Sequence, residues 1–395
     1  MVENGAVTLP VGWVLKQQYR IESIIGCGGF GITYLAIDMH MNRRVAVKEF
    51  YPNQSVTRTT QSGRVSVIFG QEEFVDHLYK RFWEEGKMIY ALKDVPDMLQ
   101  VYHVFEENNT AYIVMEYLDG NDLAHFLRAN GPLTYNQFDR FTRMLLVSLD
   151  GIHKHGLIHR DISPDNIFIT KDGRAKLIDF GSLRGYNMNQ EMTTILKHNF
   201  APYEQYQVNG KQGPWTDIYA LSVTIYYALT GKLPLSAPDR LANDRVPPVN
   251  TVRPELPQNI VAAIAKGMSV KKEDRYQIAR DMYRDLFPMG QTFYLQGISG
   301  VFANMQWKLN SQMTVSFGRE KGNQIAFPPE TMGVSRHQCS LSIDEMGQLY
   351  IRDDNSSYGT FVDGQRIIAN SWIRVPRGKT ISFGNESFRV VEKDE

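Results

Sequence analysis

The stretch HRDISPDN occupies residues 159–166, and the tripeptide DFG follows at residues 179–181 after the strand-like AKLI. Together they bring two carboxylates, Asp161 and Asp179, and one amide, Asn166, into a short span of chain. Taken singly, each of these side chains has the ordinary interpretation of a solvated surface group. Their order and spacing favour a shared catalytic site over that interpretation.

A glycine-rich motif lies closer to the N-terminus. Gly26, Gly28 and Gly31 form GxGxxG in GCGGFG, a spacing that is also found in dinucleotide-binding folds. In those folds a helix follows the glycines, whereas here ITYLAI alternates and predicts a strand. The missing helix excludes a dinucleotide-dependent oxidoreductase and predicts a strand–turn–strand loop whose backbone N–H groups can approach phosphates. Lys48 follows in VAVK, seventeen residues after Gly31.

Apolar periodicity divides the chain into regions. Short strand-like segments dominate up to about residue 50, and apolar residues at helical spacing predict a helix over 74–92. Thr134 and Gln137 form a capping box that opens a second amphipathic helix, and helices dominate from there to about residue 287. Beyond that point the pattern predicts strands, with hairpin turns at Asp363-Gly364 and Gly384-Asn385.

In this order the motifs resemble the serine/threonine protein kinase family over roughly residues 12–288, and their amino-acid sequences are most similar to those of bacterial members. FAPYE at 200–204, Asp217 in WTDIYAL and Arg275 in KEDRY extend the match. The resemblance implies an α+β two-lobed fold with a β-rich N-terminal lobe and a helical C-terminal lobe. It also implies ATP and Mg²⁺ (or Mn²⁺) as cofactors, and transfer of the γ-phosphoryl group to Ser and Thr hydroxyls of proteins, including the chain itself.

The resemblance also assigns a role to Lys48, which would hold the α- and β-phosphates of ATP and pair with a glutamate of the first helix. Glu85 and its neighbour Glu84 are both candidates for that glutamate. Glu85 is preferred because it lies three residues after Phe82 and four before Ile89, on the predicted buried face of the helix.

Other roles follow from the same resemblance. Asp179 and Asn166 would ligate the metal through hard oxygens, and Asp161 would accept or orient the proton of the substrate hydroxyl. The nucleotide-binding residues that it implies are Gly26, Gly28, Gly31, Thr33, Ala46, Lys48 and Phe168, the hinge backbone at Glu116 and Leu118, and Asp122 near the ribose.

Two residues depart from the family pattern. Ser163 stands where the catalytic loop usually has a lysine, and Lys197 stands where a threonine usually precedes the APE motif. Because the two usual residues lie against the catalytic aspartate, we expect the side-chain types to have exchanged places. Lys197 would then put its ammonium near Asp161 and the γ-phosphate, and Ser163 would supply the hydroxyl. The alternative is a solvated Lys197 and a slow enzyme. Residues 52–73 form an insertion to which the sequence assigns no role.

Arg160 precedes Asp161, an arrangement that in the family accompanies activation by a phosphate on the loop between DFG and APE. That loop, residues 182–200, offers Thr193 and Thr194 as candidate phosphosites. A phosphate on either threonine could pair with Arg160 and order the loop. Alternatively, both threonines are ordinary solvated loop residues.

The last hundred residues place arginines and hydroxyls on loops between predicted strands, at Gly318-Arg319, at Ser335-Arg336 and in SSYGTF at 356–361. Arginine supplies forked donors and serine short ones, a combination that suits an anion. Together with VSRHQ and GTFVDG, this order resembles the forkhead-associated (FHA) domain, an all-β sandwich that binds phosphothreonine peptides. The resemblance covers about 297–392, after a short linker at 289–296.

By that resemblance five residues surround the phosphopeptide: Arg319 and Ser335 hold the phosphate, Ser357 adds a hydroxyl, and Arg336 and Tyr358 lie against the peptide. Two positions depart from the pattern, because Gln338 replaces the usual histidine and Tyr358 replaces an asparagine that normally binds the peptide backbone. Gln338 is expected to support the fold. A degenerate, purely structural sandwich remains the alternative.

Composition excludes other classes of function. Lys plus Arg and Asp plus Glu each total 43, so no net charge supports binding to nucleic acid or to an anionic membrane. The two cysteines, Cys27 and Cys339, are too few for a disulfide framework. The sequence also lacks an apolar leader and any apolar run of the length that a membrane span needs. It therefore predicts a soluble cytoplasmic protein.

Two hypotheses of function remain. The first is a serine/threonine kinase whose partners are protein substrates and phosphothreonine peptides, with self-association when the FHA domain binds the phosphorylated kinase. The second is a pseudokinase scaffold, which would bind nucleotide without transferring phosphate and which only Ser163 favours.

Overall fold

The computed structural model describes residues 8–59, 61–185, 196–288, 293–310, 313–376 and 378–391. The chain divides into two compact units between Met282 and Tyr283. The strands of the first unit are β1 Val14–Leu15, β2 Tyr19–Cys27, β3 Gly31–Asp38, β4 Arg43–Phe50, β5 Val56–Arg58, β6 Val65–Val67, β7 Val101–Glu107, β8 Thr110–Glu116, β9 Gly120–Asp122, β10 Leu157–Ile158, β11 Ile167–Thr170, β12 Ala175–Leu177 and β13 Arg184–Gly185. The helices are α1 Glu72–Ala91, α2 Leu123–Asn130, α3 Tyr135–Lys154, α4 Pro214–Thr230, α5 Ala237–Ala242, α6 Gln258–Gly267 and, across the division, α7 Ala279–Leu286.

The N-terminal lobe is built on a six-stranded antiparallel sheet with the strand order β1-β2-β3-β4-β8-β7. β2 and β3 pair directly on either side of the glycine-rich turn, which confirms the strand–turn–strand prediction. Gly31 is required at the start of β3, because a Cβ there would lie 2.6 Å from the carbonyl oxygen of Glu49 on β4. Helix α1 packs against β7 and β8.

Helices dominate beyond β9. The Thr134 hydroxyl accepts the N–H of Gln137, and the Gln137 side chain accepts the N–H of Thr134, so the predicted capping box is present. Helix α4 is buried along most of its length and packs against α3 and α6. The predicted two-lobed α+β fold is confirmed. Among the described residues, no helix combines the length and the apolar character that crossing a membrane requires.

A buried ion pair holds the segment before α4. Arg275 Nη1 and Nη2 donate to the two carboxylate oxygens of Glu204 at 2.9 and 3.1 Å, and Arg275 also donates to the carbonyl oxygens of Ser269 and Val270. The Thr216 hydroxyl donates to the same carboxylate at 2.9 Å. Both charged side chains are at most 5% exposed, so neither has water to replace its partner.

Arg275→Met is expected to lower the free energy of unfolding by about 3–5 kcal/mol, because it leaves the Glu204 carboxylate buried without its cation. Urea unfolding of the full chain, followed by circular dichroism, measures the loss. Arg20→Met is the matched control, since Arg20 belongs to an exposed pair with Glu22 and its loss is expected to cost at most about 1 kcal/mol. Equal midpoints for the wild type and Arg275→Met would contradict the prediction.

The second unit is a sandwich of two sheets. Its strands are β14 Phe293–Ser299, β15 Gln306–Leu309, β16 Thr314–Gly318, β17 Ile325–Ala326, β18 Cys339–Ile343, β19 Leu349–Asp353, β20 Phe361–Val362, β21 Gln365–Arg366, β22 Trp372–Arg374, β23 Thr380–Phe383 and β24 Glu386–Val391. The sheets have the orders β15-β14-β24-β23-β20-β21 and β17-β16-β18-β19-β22, and their buried apolar residues form one core. Both predicted hairpin turns are present, between β20 and β21 and between β23 and β24. The predicted all-β sandwich is confirmed.

The boundary between the units differs in detail from the predicted linker at 289–296. Strand β14 begins at Phe293, inside that stretch, because its residues pair with β15 and β24. Residues 289–292 lie outside the described residues. The limits 12–288 and 297–392 stay predictions.

Candidate active site

An ion pair between Lys48 and Glu85 links β4 to α1. Lys48 Nζ lies 2.9 Å from Glu85 Oε1, and Glu85 is buried whereas its neighbour Glu84 is exposed. Burial by itself favours the neutral amine, but the carboxylates of Glu85 and Asp179 outweigh it and raise the pKa of Lys48 above its usual value. The ammonium therefore stays charged, as contact with phosphate oxygens requires.

The residues predicted to surround the nucleotide lie on neighbouring strands. Thr33 on β3 is the cross-strand partner of Lys48 on β4, and Ala46 lies two residues before Lys48, on the same face of the sheet. Gly26 is in turn the partner of Thr33. These residues and the lysine therefore line one surface next to the glycine-rich turn, in which the Gly28 N–H donates to the Gly31 carbonyl.

The predicted hinge and ribose positions lie at the end of β8 and beyond it. The Glu116 N–H donates to the Gln100 carbonyl at 2.9 Å, and the Glu116 carboxylate pairs with Lys176. Leu118 follows in the loop before β9. Asp122 is the cross-strand partner of Phe168 and caps α2 by accepting the N–H of His125 at 2.6 Å.

Asp161 and Asn166 are held by each other. Asn166 Nδ2 donates to the Asp161 carbonyl oxygen and to Asp161 Oδ2, each at 2.8 Å. The other polar atom of the amide is an oxygen, a hard ligand suited to a divalent cation. Burial raises the pKa of the Asp161 carboxyl above its usual value, and the Lys197 ammonium opposes that rise.

Asp179 and Arg160 both adopt the left-handed backbone conformation, with φ of 62° and 70°. Asp179 Oδ1 accepts the N–H of Gly181 at 3.3 Å. Asp217 of α4 holds the backbone at Arg160, because its carboxylate accepts the N–H groups of His159 and Arg160, each at 2.8 Å. Residues other than glycine seldom occupy this region, and the surrounding contacts must hold them there, often at active sites.

Lys197 lies against the catalytic loop. Its Nζ donates to Ser163 Oγ at 2.6 Å, and it lies 3.8 Å from Asp161 Oδ1 and 3.5 Å from Asp165 Oδ2. Ser163 is completely buried. The structure thus brings the two departures from the family pattern together beside the Asp161 carboxylate. The participation of this ammonium in transfer stays a prediction.

The candidate phosphosites Thr193 and Thr194 lie outside the described residues. Their predicted partner, Arg160, donates Nε to Gln212 Oε1 at 2.9 Å.

In the second unit, Arg319, Ser335 and Ser357 come together. The Arg319 N–H donates to the Ser335 carbonyl, and the Ser357 N–H donates to Ser335 Oγ, both at 2.9 Å. The Arg319 guanidinium donates to the Val334 carbonyl at 2.6 Å and to the Pro329 carbonyl. These contacts hold the arginine beside the serine loops.

Gln338 connects the same loops from within. Its Oε1 accepts the Ser335 N–H at 2.9 Å, and its Nε2 donates to the Gly359 carbonyl and to Thr360 Oγ1, each at 3.1 Å. Because Gln338 is completely buried, these bonds support the loops rather than contact a ligand, as expected at this position.

The other two predicted peptide contacts are at the surface. Arg336 is exposed and Tyr358 is 69% exposed, so both side chains are accessible to a peptide.

Comparison with known families identifies the protein family to which this arrangement belongs. The protein kinase domain model matches residues 19–248, more than half of the chain, and the FHA domain model matches residues 315–384. The chain belongs to the protein kinase family. Membership implies ATP and a divalent metal ion, and the oxygen donors of Asp179 and Asn166 fit such an ion.

Several bacterial kinases are similar to this one. A probable serine/threonine-protein kinase of Clostridium acetobutylicum is 31% identical over 288 residues, which are 70% of this chain and 40% of that protein. PrkC of Bacillus subtilis is 28% identical over 288 residues, or 70% and 41%, and PknE of Mycobacterium tuberculosis is 30% identical over 275 residues, or 67% and 44%. The chain thus spans less than half the length of these relatives. The solved structure described as the PpkA-294 apo form is 31% identical, with a TM-score of 0.63, and covers 71% of this chain and 100% of that one.

Sequence reasoning missed two buried polar residues that contact or adjoin residues of the kinase site, His153 and Glu49. His153 of α3 lies with Nε2 2.9 Å from Asp217 Oδ2, and Glu49, next to Lys48, is completely buried. The sequence did contain a signal for Glu49. Consecutive residues of a strand face opposite sides of the sheet, so Glu49 cannot lie on the same surface as Lys48. No local pattern marks His153, whose partner is far away in sequence.

Proposed function

We propose that the chain is an ATP-dependent serine/threonine protein kinase that phosphorylates proteins, itself included. The observation that carries the proposal is the joint presence of the Lys48–Glu85 ion pair and the bonded pair Asp161–Asn166. Phosphoryl transfer needs positioned phosphates and neutralised charge more than covalent help, and these groups supply both.

In this proposal Lys48 binds the α- and β-phosphates, and Asp161 orients the substrate hydroxyl and accepts its proton. Asp179 and Asn166 would hold Mg²⁺, or Mn²⁺, whose charge offsets that of the phosphates when it is bound with ATP. Lys197 would add a cation beside Asp161, where negative charge is redistributed during transfer.

The alternative function is a pseudokinase scaffold, which Ser163 favours because it removes the usual catalytic-loop cation. The contact of 2.6 Å between Lys197 Nζ and Ser163 Oγ supports the enzyme instead, since another part of the chain delivers a cation to the same place.

Incubation of the full chain with MgATP, followed by mass-spectrometric mapping of phosphosites, tests the enzyme against the scaffold. We expect phosphate on serines or threonines of the chain and of a generic protein substrate, and none after the divalent metal is chelated. A chain that binds ATP but incorporates no phosphate would favour the scaffold.

We also propose that the FHA domain binds phosphothreonine peptides, including threonines that the kinase itself phosphorylates, such as Thr193 or Thr194. Phosphorylated chains would then associate with one another. The cluster of Arg319, Ser335 and Ser357 supports this, because a guanidinium and two hydroxyl-bearing residues lie together there on partly or fully accessible loops.

Arg319→Ala is expected to weaken binding of a phosphothreonine peptide to the full chain by at least about tenfold, because charge-assisted hydrogen bonds to phosphate are lost. Calorimetric titration with paired phosphorylated and unphosphorylated peptides is the measurement. Arg389→Ala, at an exposed position of β24, is the matched control and should bind like the wild type. Equal affinity of the wild type for both peptides would refute the proposal.

A further inference from the structure

The insertion at residues 52–73 folds into a hairpin, β5–β6, that is anchored to the strand carrying Lys48. Val56 and Val65 are buried, and the Val65 N–H donates to the Asn108 carbonyl in the turn between β7 and β8. Arg58, at the end of β5, reaches the sheet through its side chain, which is only 1% exposed.

The target of Arg58 is Glu49, the residue after Lys48. Arg58 Nη2 lies 2.6 Å from Glu49 Oε2, and the Glu49 side chain is completely buried. The hydroxyls of Tyr34 on β3 and Tyr112 on β8 donate to the same carboxylate at 2.7 and 2.6 Å. Glu49 therefore connects three adjacent strands and the hairpin through one buried charge.

The guanidinium of Arg58 keeps its charge despite burial. Burial favours neutral Arg58, but the Glu49 carboxylate outweighs this, and the pKa of Arg58 is raised above its usual value. The guanidinium also donates to the Gly63 carbonyl at 2.7 Å and lies over the Tyr51 ring, 5.0 Å from its centroid. A buried charge with this many partners is strongly held in one geometry.

The same segment contacts the other two parts of the nucleotide site. Near its start, the Asn53 N–H donates to the Gly29 carbonyl at 3.2 Å, and the N–H of Tyr51, just before the segment, donates to the Phe30 carbonyl at 3.1 Å; both acceptors belong to the glycine-rich turn. At its end, the segment continues into α1, the helix of Glu85: Gln71 is the N-cap of that helix, and its carbonyl accepts the N–H of Val75 at 2.9 Å.

We propose that the insertion is a clamp for ATP and that Arg58 is a positioning residue, acting through Glu49 on Lys48 and the glycine-rich turn. The proposal rests on the proposed kinase function. Without Arg58, the Glu49 carboxylate must take up a proton or move toward water, and β4 moves with it. A displacement on the order of 1 Å at a reacting group can cost up to about a hundredfold in rate.

The test is calorimetric titration of the full chain with MgATP, together with steady-state kinetics. For Arg58→Met we expect the Kd and the KM for ATP to rise on the order of tenfold, which corresponds to about 1.4 kcal/mol of binding free energy. The affinity of the FHA domain for its phosphopeptide should stay unchanged. Arg20→Met is the control of the same residue types, at an exposed position on β2, and should bind MgATP like the wild type.

A second variant separates positioning from loss of stability. Glu49→Gln with Arg58→Met removes both charges, so no unpaired charge is buried, yet the tether to the hairpin is still absent. We expect weakened ATP binding in this variant also, at a temperature at which circular dichroism shows it folded. Wild-type affinity for MgATP in either folded variant would overturn the clamp. A wild type that binds no MgATP would instead overturn the proposed function.

Discussion

Asp179→Asn is expected to lower the initial rate of phosphoryl transfer by on the order of a thousandfold, the scale of losing one preorganised charge at the reacting group. The substitution keeps the size of the side chain, and asparagine tolerates the left-handed backbone of this position. It removes the charge that would bind the metal and that helps to keep Lys48 protonated. Transfer to a generic protein substrate at saturating MgATP is the measurement.

Asp76→Asn is the matched control for this substitution. Asp76 belongs to an exposed ion pair with Lys80 on α1, so its loss should leave transfer unchanged. Melting temperatures of both variants establish that the fold is intact. A folded Asp179→Asn variant with near wild-type transfer would remove Asp179 from the metal site.

Lys197→Ala is expected to lower the transfer rate by on the order of a hundredfold, because one preorganised cation is lost beside the Asp161 carboxylate. A second effect has a defined sign. The Lys197 ammonium lowers the pKa of Asp161, so its removal raises that pKa, and the acidic limb of the pH–rate profile should move to higher pH. Rates across pH at saturating MgATP measure both effects.

The double change Ser163→Lys with Lys197→Thr restores the usual pairing of the family, and we expect it to recover a substantial part of the lost rate. Lys154→Ala, at a lysine that is 57% exposed, is the control and should leave the transfer rate unchanged. Near wild-type transfer by Lys197→Ala would show that Lys197 is an ordinary loop lysine.

The residues of the candidate active site were predictable because they lie in short sequence motifs. Helical spacing was enough to choose Glu85 over Glu84, since a pair with Lys48 requires the buried face of α1. Counting back from FAPYE was enough to predict that Lys197 lies near Ser163, although the two residues are 34 positions apart in the sequence. In both cases the number of residues between the side chain and a recognisable motif or helix face fixes where that side chain lies.

Residues that act through burial could not be found in the same way. Arg58 and Glu49 are nine positions apart, but their contact depends on how the inserted hairpin folds onto the sheet. The bonds of Asp217 to His153 and to the catalytic loop likewise depend on the packing of α3 and α4. No local period or motif encodes these distances, because tertiary packing sets them.

The anchoring of the catalytic loop by Asp217 has a consequence for the timescales of motion. The His159 and Arg160 amides are bonded to a carboxylate on a helix that is buried along most of its length, so moving this loop requires local unfolding. Such openings are slow compared with the nanosecond-to-microsecond motions of surface loops. We therefore expect entry and release of the nucleotide to depend on movement of the glycine-rich turn, where the Phe30 side chain is 59% exposed, rather than on this loop.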